Sequence, residues 1–150
     1  MTLPTQIKAL SNTGAAMKGV CCGLAHSCFL DSEGFVYTSG WNNQGQCGKS
    51  ILDNFTLKEP KLLNSIGTEI NFIASGGVHT FFITRDGQVF ATGANHCGQL
   101  GLDTEGLPVE KPSKLAYLKE KISLAACGEE YSVLLSQSRK VFVSGLNNVG

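Results

Sequence analysis

The sequence predicts an all-β chain made of four-stranded antiparallel units, the blades of a β-propeller that does not close. Three observations carry this. Glycines 40, 93 and 145 open similar stretches, "GWNNQGQCG", "GANHCGQLG" and "GLNNVG", at offsets of 53 and 52 residues. Gly23, Gly76 and Gly128 stand 17 residues earlier and keep the same offsets. Short apolar segments separated by turn signals fill each interval, rich in Val, Ile, Phe and Tyr. A repeat near 50 residues with four strands is the signature of a propeller blade. One blade cannot bury its faces alone, so neighbouring blades must cover them.

The elements follow in order. Each unit is read as starting near a proline (Pro4, Pro60, Pro112), with "TQIKAL", "KLLNSI" and "SKLAYL" supplying one strand apiece. The units then run 1–56, 57–108 and 109–150, the last stopping inside its final motif at Gly150, the counterpart of Gly45 and Gly98. Three extra residues of the first unit are placed around "SNTG", 11–14. "GVCCG", "NFIASG" and "SLAACG" are apolar strands ending at a glycine, and "HSCFLD", "HTFFIT" and "YSVLLS" follow as half-buried strands. Glu33-Gly34 and Asp86-Gly87 are hairpin signals. The third unit has Ser138-Arg139 there. An Arg at positive φ costs about 1 kcal/mol, so a different turn is expected. "FVYTSG", "QVFATG" and "KVFVSG" complete the units.

The glycine-rich stretch itself reads as a turn. Lys49 and Ser50 follow the glycines, but a phosphate loop and a dinucleotide site both lead into a helix, and "KSILDNFTLKEP" holds a proline and little helical periodicity. Gly40, Gly93 and Gly145 are expected at positive φ. Asn42, Asn95 and Asn147 should bond nearby backbone, as should Gln46 and Gln99.

Composition narrows the function. Over 150 residues, 12 basic and 12 acidic side chains cancel, so no global field draws the chain to nucleic acid or anionic lipid. Lys111, Lys114, Lys119 and Lys121 are interrupted by Glu110 and Glu120 and read as a solvated mixed face. No apolar run reaches membrane-spanning length, and the N-terminus has no signal-like apolar region. The six cysteines form no C-x-x-C pair. Most align with small or apolar residues of the other units and read as buried side chains in a reducing compartment. No metal, cofactor or disulfide is expected, and the location is expected to be intracellular, cytoplasmic or nuclear.

"VCCGLAHSCFLDSEGFVYTSGWNNQGQCG" and "IASGGVHTFFITRDGQVFATGANHCGQLG" resemble repeats of the regulator of chromosome condensation family across almost the whole chain. The resemblance implies a seven-bladed propeller, of which this sequence would be the N-terminal part. It also implies an interaction platform or, as in the founding member, nucleotide exchange on a small GTPase of the Ran type at the nucleosome. In that family, exchange relies on an inserted β-wedge and on loops from several blades, and the regular spacing here leaves no room for such an insertion.

His26 and His79, each before a hydroxyl (Ser27, Thr80), tempt as general bases, but equivalent repeat positions favour a structural hydrogen bond. His96 has no counterpart, since Asn43 and Asn148 match it, and adjacent His96-Cys97 is a poor catalytic dyad. Trp41, with the variable segments 49–59 and 102–111, is the candidate partner-binding residue. The reading is a non-enzymatic protein-interaction module with no catalytic residues. Exchange on a Ran-like GTPase is the alternative and chromatin binding the second, disfavoured by zero net charge and the lack of a basic tail. The isolated chain is expected to self-associate.

Overall fold

The structure is a computed structural model describing residues 3–67 and 69–148, so Gly150 and its expected turn lie outside the described residues. A one-turn helix, α1 (Lys8–Ser11), precedes the strands. The first sheet holds β1 (Met17–Cys22), β2 (His26–Asp31), β3 (Val36–Trp41) and β4 (Thr56–Leu62) in that order. The second holds β5 (Ile70–Ser75), β6 (His79–Thr84), β7 (Val89–Gly93) and β8 (Val109–Lys114). Among the described residues the third has three strands: β9 (Ile122–Cys127), β10 (Tyr131–Ser136) and β11 (Val141–Gly145). All pairings are antiparallel between chain neighbours, and β1, β5 and β9 each carry a bulge near their start. These are three stacked propeller blades.

The proline segments are placed differently from expectation. "TQIKAL" ends in helix α1, whose Leu10 is buried, and contributes no strand. Pro60 and Pro112 lie inside β4 and β8, not before them. The residues after each proline are therefore the tail of the preceding blade. Proline cannot donate to a ladder, so it belongs on an edge strand or at a bulge. Both conditions hold, because β4 and β8 are the last strands of their sheets and each pairs with a register shift beside the proline.

Side-chain alternation explains the stacking. In β6 every residue is buried, not half-buried as expected from the sequence. Phe82 packs with Cys28, Leu30, Val36 and Ile73 toward the first blade. Phe81 and Ile83 pack with Ile122, Ala125 and Leu134 toward the third. A strand with period two presents alternate residues to opposite faces, so a blade flanked on both sides reads as a continuous apolar run. Burying each Phe is worth about 1.5–3 kcal/mol. Strand β10 has one covered face, and its burial alternates accordingly.

The third hairpin turn also differs from expectation. Arg139 adopts φ 67°, in the same turn as Gly34 (φ 95°) and Gly87 (φ 83°). The turn's first residue explains this. Asp31 Oδ1, Thr84 Oγ1 and Ser136 Oγ each accept the backbone N–H four residues on, from Phe35, Gln88 and Lys140. Arg139 N–H donates to Ser136 O as its glycine counterparts do. These bonds outweigh the roughly 1 kcal/mol cost of a left-handed Arg.

Candidate interaction surface

Each junction between blades is closed by one relay. His26 Nε2 lies 2.9 Å from Thr80 Oγ1 of the second blade, and that hydroxyl donates to Gln46 O of the first at 2.8 Å. One blade on, His79 Nε2 lies 2.8 Å from Ser132 Oγ, which donates to Gln99 O at 2.8 Å. A hydroxyl has one proton, so its oxygen must accept from Nε2–H, which leaves each Nδ1 bare. Both Nδ1 atoms are buried without a partner. Burial pulls both imidazoles down to about 4, His79 further disfavoured as a cation by His26, so both are neutral near pH 7. These histidines are joints, as their equivalent repeat positions imply.

Glycine makes room for the rings. A Cβ on Gly76 would sit 2.0 Å from His79 Cε1, and one on Gly23 2.2 Å from His26 Cε1. Tyr131 lies against Gly128 in the same way. Gly40, Gly93 and Gly145 face these ring residues across the ladder with φ of 102°, 110° and 111°.

The loops after β3 and β7 are internally tied. Asn42 Nδ2 donates to Lys49 O and Asn54 O, while its Oδ1 accepts from Cys47 N–H. Asn95 makes the matching bonds to Leu102 O and from Leu100 N–H. Gln46 Oε1 accepts from Gln44 N–H, and its Nε2 donates to Asn43 Oδ1. The stretch is a rigid turn.

Trp41 stands at the end of β3 and is 55% exposed. Its N–H donates to Ala25 O, and Asn42 N–H donates to Phe55 O, so the backbone brings exposed Leu24 and Phe55 to the same end of the first blade. Leu52, in the adjoining loop, is also exposed. A second apolar surface is the open face of the third blade, a groove of about 940 Å³ lined by Tyr131, Val133, Val143 and Leu146.

His96 and Cys97 do not act on each other; both reach Glu130 on the third blade. His96 Nε2 lies 3.0 Å from Glu130 Oε1, and Cys97 Sγ 3.8 Å from Oε2. Partial desolvation and the neighbouring carboxylate push the Cys97 thiol up. Glu130 does not stand out in the sequence, although it departs from Ala25 and Val78 at its repeat position just as His96 departs from Asn43. Its partners lie more than 30 residues away, and that distance hides it. Among the cysteines, Cys28 and Cys47 are buried as expected, but Cys22 is exposed because no blade among the described residues covers its side of β1. No helix among the described residues is long and apolar enough to cross a membrane, which says nothing of strands.

Serial antiparallel meanders, two of four strands and one of three among the described residues, stacked through one repeated histidine–hydroxyl joint, define a run of propeller blades. The model of the "Regulator of chromosome condensation (RCC1) repeat" matches residues 33–83 and 86–135, and a second model of that repeat matches 17–46 and 70–99. The chain belongs to the RCC1 repeat family. It is 32% identical to "Protein RCC2 homolog" of Xenopus laevis over 92% of this chain and 27% of that protein. It is 35% identical to "Probable E3 ubiquitin-protein ligase HERC4" of Mus musculus over 99% of this chain and 14% of that protein. Among solved structures, Prp20p of Saccharomyces cerevisiae, described with its binding properties to Gsp1p and histones, superposes with a TM-score of 0.77 at 31% identity, covering 89% of this chain and 32% of that one. The chain thus spans about a third or less of the length of each of these relatives.

Proposed function

We propose that this chain is a protein-interaction module, part of a propeller, that presents the apolar end of its first blade to a protein partner. The exposed indole of Trp41 carries the reading. It projects from a strand end held by hydrogen bonds on both sides, so an aromatic anchor is offered at little entropic cost. The histidines that could have served as bases are occupied in the joints between blades. The resemblance to Prp20p, whose described binding includes Gsp1p, keeps a Ran-like GTPase among the candidate partners. Histones belong among them too. A relative 31% identical to this chain is described with its binding properties to histones, which weighs against the sequence-based argument from charge and the missing basic tail.

The open face of the third blade, where Val143 is 71% exposed, supports self-association of the 150-residue chain expressed by itself. Light scattering should show a mass above that of a monomer, falling in Val143→Lys; a monomer at high concentration overturns this part.

The partner reading is tested by comparing wild type with Trp41→Ala. Proteins captured from extract by the wild type are identified, and their affinities for both forms are measured by calorimetry. At least one should bind the variant ten-fold or more weakly while the melting curve stays put. Equal affinity of every captured protein for both forms overturns the reading. A many-fold acceleration of fluorescent nucleotide release from a Ran-like GTPase would replace it with exchange.

A further inference from the structure

We propose that His96, Cys97 and Glu130 form a zinc site linking the loop after β7 to the turn between β9 and β10. The first observation is a coincidence of departures. The repeat counterparts of His96 are Asn43 and Asn148, that of Cys97 is Gln44, and those of Glu130 are Ala25 and Val78. None of these three positions carries a metal-binding side chain in another unit, yet here all three do, and the fold brings them together from two blades.

The geometry suits the ion. Imidazole nitrogen, thiol sulfur and carboxylate oxygen all lie within 4.8 Å of one another. Nitrogen, oxygen and a single sulfur around a tetrahedral zinc stand about 3.3–3.6 Å apart, given Zn–N and Zn–O bonds of about 2.0–2.1 Å and a Zn–S bond of about 2.3 Å. His96 Nε2 stands 3.0 Å from Glu130 Oε1 and Cys97 Sγ 3.8 Å from Oε2, so rotation of the side chains brings one carboxylate oxygen, the nitrogen and the sulfur to that spacing. The backbones are already held: Leu146 N–H donates to Glu130 O, and Cys97 N–H donates to Gln99 Oε1.

The loop sacrifices a bond to place His96 there. In the first blade Gln46 Nε2 donates to Asn43 Oδ1. With His96 in that place and turned to Glu130, the equivalent Gln99 Nε2 is buried with no partner. A buried unsatisfied donor is costly and calls for a reason. Thiolate, carboxylate and neutral imidazole also match zinc in charge and in softness. On binding, the Cys97 thiol proton leaves to solvent. The imidazole proton passes through water to Nδ1, and Nε2 and Glu130 exchange their mutual hydrogen bond for the metal. The fourth position stays open to water or to a donor from a partner.

The test uses the whole reduced chain titrated with zinc by calorimetry and with cobalt(II) by absorption. His96→Asn, Cys97→Gln and Glu130→Ala each install the residue of another repeat, so the fold should persist; Cys22→Ser controls for the exposed thiol. We expect one ion per chain and a thiolate-to-cobalt charge-transfer band. Cys97→Gln should abolish the band, His96→Asn and Glu130→Ala should weaken binding ten-fold or more, and Cys22→Ser should change neither. Zinc-edge X-ray absorption of the wild type should show one sulfur among nitrogen and oxygen ligands, which holds the test open should a variant misfold. Non-stoichiometric binding, a band surviving in Cys97→Gln, or a shell without sulfur overturns the proposal.

Discussion

His26 Nε2 stands 2.9 Å from Thr80 Oγ1 across the joint between the first two blades, and His79 repeats the contact with Ser132 at 2.8 Å. Each hydroxyl also donates to the glutamine carbonyl of the preceding blade's loop, so one small side chain ties together a strand, a ring and a turn. Thr80→Val keeps the shape and removes both bonds. It leaves an imidazole N–H and a carbonyl buried without partners, which should cost about 2–4 kcal/mol. Urea denaturation measures it, and a loss below about 0.5 kcal/mol would mean that the relay contributes nothing.

The same histidines set a pH dependence. Their folded pKa is about 4, below the ordinary 6.5, because burial disfavours the cation. The unfolded chain therefore binds more protons between these values, and stability is full above about pH 6.5 and lost as pH falls toward 4. Each histidine contributes a loss of about 3 kcal/mol across that window. The stability of His79→Gln should fall less steeply between pH 6.5 and 4; slopes identical to wild type would contradict this.

Gly93, the last residue of β7, and Gly98, in the loop after it, should respond unequally to alanine. At Gly93, with φ 110°, a Cβ would stand 2.4 Å from Val78 O and 2.7 Å from His79 Cα, both backbone atoms. Gly98 has φ 74° and nothing within 4 Å. Gly93→Ala should cost about 3–5 kcal/mol and Gly98→Ala about 1 kcal/mol, read from paired urea melts.

Arg139 holds a glycine's conformation in an exposed turn. Arg139→Gly should therefore stabilise the chain by about 1 kcal/mol, against the usual direction for a surface substitution to glycine. A destabilised variant would show that the left-handed geometry is not strained there.

The repeats, the strand-ending glycines and the structural role of the histidines are legible because they recur, and a repeated chain carries its own comparison. Asn42 and Asn95 are recognisable from the sequence as turn-bonding residues, since their partners lie within a dozen residues. The strand containing Pro60 lies a few residues from where the sequence suggests. Its position depends on pairing with β3 around a bulge, and no local pattern encodes that shift. The turn at Arg139 escapes the sequence for a similar reason, because the bonds that hold it come from Ser136, outside the Ser138-Arg139 pair that signals the turn.

By itself the sequence determined the blade, since period-two alternation, turn glycines and the 52- to 53-residue repeat are properties of neighbouring residues along the chain. Only the tertiary structure decided which hydroxyl each histidine meets, that β6 is covered on both faces, that Trp41 points outward, and that Glu130 closes on His96 and Cys97. Those outcomes follow from how one twisted sheet seats on the next, and that fit is a balance of packing and hydrogen bonding between residues about 30 or more positions apart.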